Sequence, residues 1–285
     1  MSEKPGPRVS FFGVRGSTPC ASDALRRYGG NTSCVVVERD DHRPIILDMG
    51  TGLREYGGCV GNGNAIEAAI LVTHLHWDHV QGLPFFGPIH NPNSEVEIYG
   101  PPFGEQDLRT AFNGMMQPPY FPICCDHLPK GIEFKTSWED SFVFGDAKVT
   151  TRSVPHVGDT NGYRIEIDGF VIAYLPDHQE PIGNAGYVDP GVIELCAEAD
   201  LVMHDAQFTA GELAARPDWG HCTPSYALEV AVQSGAKTLC MFHHDPWHDD
   251  EMVDELLEEC REEAKDRGMD SVIAASEGMT LQLGD

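Results

Sequence analysis

Residues 69–79 read AILVTHLHWDH. Ala69 to Thr73 is a continuous, largely apolar run, suited to a strand buried on both faces. Four ligand-type side chains follow within the next six positions: His74, His76, Asp78 and His79. In an extended segment residues i and i+2 share a side, so His74 and His76 can point together. Asp78 and His79 fall where the chain turns into a short helix, and could face a second point a few ångströms away. Such a set could serve two adjacent divalent ions. Chance clustering in a chain with 13 histidines is the competing account, and the position directly after a buried strand argues against it.

A site of this kind needs partners from elsewhere, and each candidate sits at the end of an expected strand. Asp48 ends PIILD, His156 ends TRSVPH, Asp177 follows VIAYLP, His204 and Asp205 follow DLVM, and His243 and His244 follow LCMF. Alone, each is a common cap or turn residue. Together they are how a sheet gathers ligands along one edge.

Outward from this centre, the chain reads as strands early and strand–helix alternation late. Short β-rich segments are expected at 9–12, 34–38, 44–47, 96–99, 132–135, 148–154, 162–167 and 170–175. Residues 192–199 and 224–234 read as helices, with strands at 201–204 and 238–242. The final helix is amphipathic: Met252, Val253, Leu256, Leu257, Cys260 and Ala264 share one face, and Gly268 is its stop. The glycines from Gly50 to Gly63 read as a flexible loop without a phosphate-cradling signature. Residues 100–131, rich in proline, aromatics and methionine, read as an insertion into a single domain spanning 1–285, either a lid or a homodimer interface. Its Phe103, Phe112, Met115, Met116, Tyr120 and Phe121 would form an apolar wall over a ligand or, equally, belong to the core or to a dimer interface.

Composition excludes several classes. Nineteen Lys+Arg against 45 Asp+Glu leave a net charge of −26 in 285 residues. That balance repels long polyanions, so a large nucleic acid is not the expected partner. Hydrophobic content of 41% and charged content of 22% fit a globular chain. No run is long enough to span a bilayer and no secretory signal opens the chain, so a cytoplasmic location with no membrane partner is expected. Nine scattered cysteines without a CxxC read as reduced thiols. His42, His90, His127, His178 and His248 read as surface or loop residues, His178 being notable beside Asp177. Arg15, Arg152 and Arg164 are weak candidates for phosphate contacts.

With its HxHxDH motif at 74–79, the chain resembles the metallo-β-lactamase-fold hydrolases from Phe11 to about Pro246. Within them it is most similar to the ribonuclease Z-like and cyclic-phosphodiesterase branch, on GVRGSTP (13–19), GGNTSC (29–34), HDA (204–206) and GHCT (220–223). The resemblance implies an α/β (α+β) fold, a four-layer αβ/βα sandwich with metals at one edge. It implies a first metal on His74, His76 and His156, a second on Asp78, His79 and His243, and Asp177 bridging them. Asp48 would orient a ligand histidine or its loop. Asp78, His221 and Asp205 would form the catalytic set, His221 lying near the scissile phosphate and Asp205 holding its tautomer. Gly-His-Cys-Thr also serves as an N-cap for the helix at 224–234, and the two roles are compatible.

Five histidines and two carboxylates favour Zn²⁺ first, with Mn²⁺ or Fe²⁺ as alternatives. A water shared by two such ions can fall from a pKa of about 15.7 to about 7, which gives hydrolysis without a protein nucleophile. The expected reaction is hydrolysis of a small phosphodiester such as a cyclic nucleotide by a metal-bridging hydroxide. Two alternatives stand: a thioester or lactone hydrolase of the glyoxalase II type, and a ribonuclease Z-like RNA 3′ processing nuclease. The acidic C-terminal helix disfavours the first and the missing basic arm the second. A degenerate binding protein is disfavoured because every ligand position is filled, and a flavodiiron-type oxidoreductase because that pattern has Glu where His76 stands.

Overall fold

A computed structural model describes residues 6–40, 42–61 and 63–284. The first half builds a sheet from β1 (Arg8–Gly13), β2 (Cys34–Glu38), β3 (Ile45–Leu47), β4 (Glu67–Leu71), β5 (Glu95–Gly100) and β6 (Ile132–Thr136). The second half builds another from β7 (Ser141–Phe144), β8 (Ala147–Ser153), β9 (Asn161–Ile167), β10 (Phe170–Leu175), β11 (Leu201–Asp205), β12 (Leu239–Phe242) and β13 (Val272–Ala274). The last strand, β14 (Thr280–Gln282), returns to pair antiparallel with β1. The strand orders are β14-β1-β2-β3-β4-β5-β6 and β13-β12-β11-β10-β9-β8-β7. In each sheet one half is antiparallel, and the other, β3 to β6 and β10 to β13, is parallel.

Side-chain alternation divides the core into layers. Val35, Leu47, Leu71, Tyr174, Met203 and Phe242 point between the sheets. Their neighbours Val36, Ile46 and Ile70 face outward against α1 (Gly52–Val60) and α3 (Leu108–Met115). On the far side Ala173, Leu175 and Val202 meet α4 (Pro190–Cys196) and α6 (Pro224–Ser234), and Leu239 and Met241 meet α6 and α7 (Asp250–Asp266). This is the expected four-layer sandwich. Two short helices, α2 (Trp77–Val80) and α5 (Ala210–Ala215), lie at the edge where the parallel strands end. Among the described residues no helix is long and apolar enough to cross a membrane.

Several expectations change in detail. The strand before the histidines ends at Leu71, so Val72 and Thr73 already belong to the loop. The glycine-rich stretch is largely helix α1, and its glycines permit close packing instead of looseness. A Cβ at Gly52 would stand 2.5 Å from the Phe12 carbonyl, and one at Gly57 3.0 Å from the Phe86 ring. The strand at 141–144 escaped the sequence because its four residues carry only a short alternation. Residues 100–131 are divided: Phe112 and Met116 are fully buried beneath the first sheet, whereas Phe103 and Tyr120 are exposed.

Candidate metal centre

The strand ends named in the sequence converge. Asp48 follows β3, His74 and His76 follow β4, His156 follows β8, Asp177 follows β10, Asp205 ends β11 and His243 follows β12. In an open sheet the carboxyl ends of parallel strands share one edge, and here two sheets bring theirs together.

Two clusters result, and Asp177 stands between them. His74, His76, His156 and Asp177 bring one ligand atom each to within 4.8 Å of one another, and Asp78, His79 and His243 do the same. Asp177 Oδ2 lies 3.6 Å from His74 Nε2 and 3.5 Å from His156 Nε2, while Oδ1 lies 3.1 Å from His79 Nε2 and 3.2 Å from His243 Nε2. One carboxylate oxygen thus faces each cluster. His74 Nε2 and His76 Nδ1 approach to 2.8 Å, and His79 Nε2 and His243 Nε2 to 3.2 Å.

The outer nitrogens of most of these rings are anchored, which fixes the tautomer that presents a lone pair inward. His79 Nδ1 donates to Asp48 Oδ2 at 2.7 Å, His156 Nδ1 to the Gly220 carbonyl at 2.7 Å, and His243 Nδ1 to Gln207 Oε1 at 2.9 Å. Thr73 Oγ1 accepts from His74 Nδ1 at 3.1 Å and donates to Asp48. Asp48 also accepts from the Thr73 amide and the Tyr174 hydroxyl, so this buried carboxylate is fully engaged. Asp48 and His243 both adopt φ of 60°. Such a left-handed conformation is costly for a side chain larger than glycine and persists where its surroundings impose it.

The electrostatics call for positive charge at the centre. Burial would lower the His79 pKa, but Asp78, Asp177 and Asp48 around it hold it well above the ordinary imidazole range. Burial would raise Asp177, yet His243, His79 and His74 keep it well below the usual carboxylate range. Asp177 Oδ1 is buried without a hydrogen-bond partner. Converging imidazole nitrogens, an orphaned carboxylate oxygen and a demand for cationic charge fit a pair of divalent ions.

His221 stands beside both clusters. Its ring stacks on His243 at 5.2 Å and lies 5.7 Å from His156. Its Nδ1 donates to Asp205 Oδ2 at 2.9 Å, and Asp205 is further held by the amides of His178 and Gln207. Burial lowers the His221 pKa, but Asp205 outweighs it and the group is pushed up to about 9. Thr223 caps α6, accepting from the Tyr226 amide, so the segment has the N-cap role expected of it while it places His221 beside the clusters.

Other readings are corrected by burial. His178 is fully buried and donates to His204 Nε2 at 2.9 Å, and His248 is buried against Glu212. Neither is a surface residue. Arg15 is fully buried and bonded to the carbonyls of Gly29, Asp245 and His248, so it is structural. Arg152 pairs with Glu194 and Arg164 with Glu166, which removes them from the site. His244 donates to the Ala275 carbonyl, and burial pushes its pKa down to about 3. Sequence reasoning missed Gln207 and Tyr174, whose only signal was a polar group close to a ligand or on a core strand. Ser17, whose amide donates to Asp78 at 2.7 Å, lies within the GVRGSTP motif already noted.

A cleft of about 330 Å³ opens beside His74 and His76, bounded by Pro101, Phe103 and Val157. A second groove of about 550 Å³ lies between Trp77, Phe85, Met115, Tyr120 and Phe121. Both draw on residues from 100–131.

Comparison with known proteins agrees with this architecture. The sequence pattern of the Beta-lactamase superfamily domain matches residues 63–244. A ribonuclease Z of Haloarcula marismortui is 25% identical over 274 residues, covering 83% of this chain and 85% of that one. The structure of the metallo-beta-lactamase fold protein YhfI from Bacillus subtilis superposes with a TM-score of 0.73 at 18% identity, over 98% of this chain and all (100%) of that one. A diphosphatase from the PhnP family superposes with a TM-score of 0.69 at 19% identity, over 96% and 97%. The domain pattern covers more than half of the residues, and the strand-end ligands and the four layers agree with it: the chain belongs to the beta-lactamase superfamily and is a hydrolase of the metallo-β-lactamase fold.

Proposed function

We propose that the protein is a metal-dependent phosphodiesterase acting on a small phosphodiester such as a cyclic nucleotide. The observation that carries this reading is the placement of Asp177, one oxygen toward each cluster, with His221 alongside both. His74, His76 and His156 would hold one ion, Asp78, His79 and His243 the other, with Asp177 shared. The nitrogen-and-oxygen donor set suits Zn²⁺ first.

Two such ions supply an activated water at neutral pH and charge stabilisation at the phosphoryl oxygens. The chain's own residues do the rest. Asp48, Gln207 and the Gly220 carbonyl hold the rings in one tautomer and orientation. His221, bound through Nδ1 to Asp205, has its Nε2 available to give a proton to the leaving alkoxide. A cleft of about 330 Å³ with a proline and phenylalanine rim is scaled to a small organic group.

The net charge of −26 supports a small ligand over a long polyanion. A ribonuclease Z reading remains the second choice because the Haloarcula relative covers most of the chain. The experiment is hydrolysis of bis(p-nitrophenyl) phosphate by the Zn²⁺- or Mn²⁺-loaded protein, with His76→Ala as control, followed by cyclic nucleotides and a transfer-RNA precursor. Metal-dependent release that the variant lacks supports the proposal. Cleavage of the precursor alone favours the nuclease, and no phosphodiester cleavage by protein holding both ions turns the reading to thioesters and lactones.

A further inference from the structure

Arg216 follows α5 as its C-cap residue, five positions before His221. Its guanidinium carbon lies 5.4 Å from the centre of the Phe208 ring and 5.2 Å from that of Trp219. Phe208 meets His221 edge-on at 5.3 Å, and Trp219 precedes the Gly220 whose carbonyl anchors His156. The side chain is 34% exposed. Among the described residues no hydrogen bond involves the guanidinium. Its nearest carboxylate is Asp245 Oδ2 at 4.0 Å, and that group already accepts from Gln207 Nε2 and the Trp247 amide.

The arrangement differs from that of the other arginines near functional motifs. Arg15 gives its Nε and Nη1 donors to carbonyls while its Nη2 is buried out of reach of a ligand, and Arg152 and Arg164 give theirs to glutamates. Arg216 instead lies over two aromatic rings, makes no hydrogen bond among the described residues, and has only the distant charge of Asp245 at 4.0 Å as a partner. Stacking restricts the side chain without consuming its N–H donors, which leaves it organised for a phosphate or carboxylate. In so acidic a chain a cation beside the catalytic edge has its strongest use against a negatively charged ligand.

We propose that Arg216 binds a second anionic group of the substrate, a phosphate monoester carried beyond the scissile phosphodiester. This rests on the phosphodiesterase reading and narrows its substrate class. Arg216 is linked to His221 through Phe208, so the group it holds is separate from the atoms His221 serves.

The test compares thymidine 5′-monophosphate with thymidine 3′,5′-bisphosphate by calorimetry on metal-loaded protein; the two differ by one phosphate and neither contains a phosphodiester. The wild type is expected to bind the bisphosphate about tenfold more tightly. Arg216→Gln should abolish that ratio, and Arg216→Lys should keep part of it by retaining charge without the planar fork. A general distortion of the site would weaken both ligands alike and leave the ratio unchanged. Should Arg216→Gln fail to fold in a thermal melt, Trp219→Ala removes one stacking face and should reduce the same ratio. Equal affinities in the wild type, or a preference that survives Arg216→Gln, overturns the proposal. Turnover of bis(p-nitrophenyl) phosphate by the wild type reports separately: its absence with an intact ratio sinks the phosphodiesterase reading alone.

Discussion

The two ligand clusters share a carboxylate and use similar residue types, yet their surroundings differ. His79 and His243 are fully buried, and each is anchored through Nδ1, to Asp48 and to Gln207. In the other cluster His76 is exposed, while the His156 ring is as buried as those of His79 and His243. His76 presents Nδ1 inward, and no partner orients its other nitrogen among the described residues. One cluster is a rigid, dry socket, whereas the other opens onto the cleft through which a substrate would come. A ligand held by its neighbours keeps its geometry whether or not an ion is bound. A ligand facing solvent must be ordered at the moment of binding, which weakens the site and leaves it adaptable.

This contrast can be broken or sharpened by substitution. The largest effect is expected from Asp177→Ala, which removes the group both clusters share: both ions and all turnover should be lost, as metal analysis with a phosphodiester assay would show. His76→Ala should empty the exposed cluster alone and abolish activity while the buried one retains its ion. Loss of both ions from that variant would mean the clusters do not behave as separate sites. His221→Ala should leave both ions in place and slow turnover by about 10²–10⁴-fold; unchanged turnover would remove His221 from the mechanism. Asp48→Asn, which disturbs the direct support of His79 and only indirectly, through Thr73, that of His74, should weaken metal mainly at the buried cluster by roughly 10–100-fold, read as a shift in metal-binding titration. The smallest effect is one of order: in a graded chelator titration the ion of the exposed cluster should leave first. Simultaneous release would show that burial does not distinguish them.

How much of this was legible in the sequence follows from how local each signal is. HxHxDH occupies six consecutive residues, so its chemistry is visible before any folding. The strand ends at Asp48, His156, Asp177, Asp205 and His243 were readable because apolar runs stop at each. The helix at 52–60 was not, because glycine signals backbone freedom until a neighbour such as Phe12 demands its small size. His178 and His248 were misread for the same kind of reason: a polar residue beyond a strand looks exposed until another element covers it. Gln207 carries no motif of its own, and it matters only because His243 folds against it.

By itself, the sequence determined which residue types are available, their alternation on the strands and hence the layered fold, and a donor set of imidazoles and carboxylates suited to divalent ions. Those are consequences of local periodicity and side-chain chemistry. Only the tertiary structure decided that Asp177 divides its oxygens between two clusters, that one cluster is sealed and the other open, and that Arg216 keeps its donors free between Phe208 and Trp219. Each of these depends on groups far apart along the chain meeting within a few ångströms, and burial, the quantity that sets tautomer, charge and access, exists only once the layers have packed.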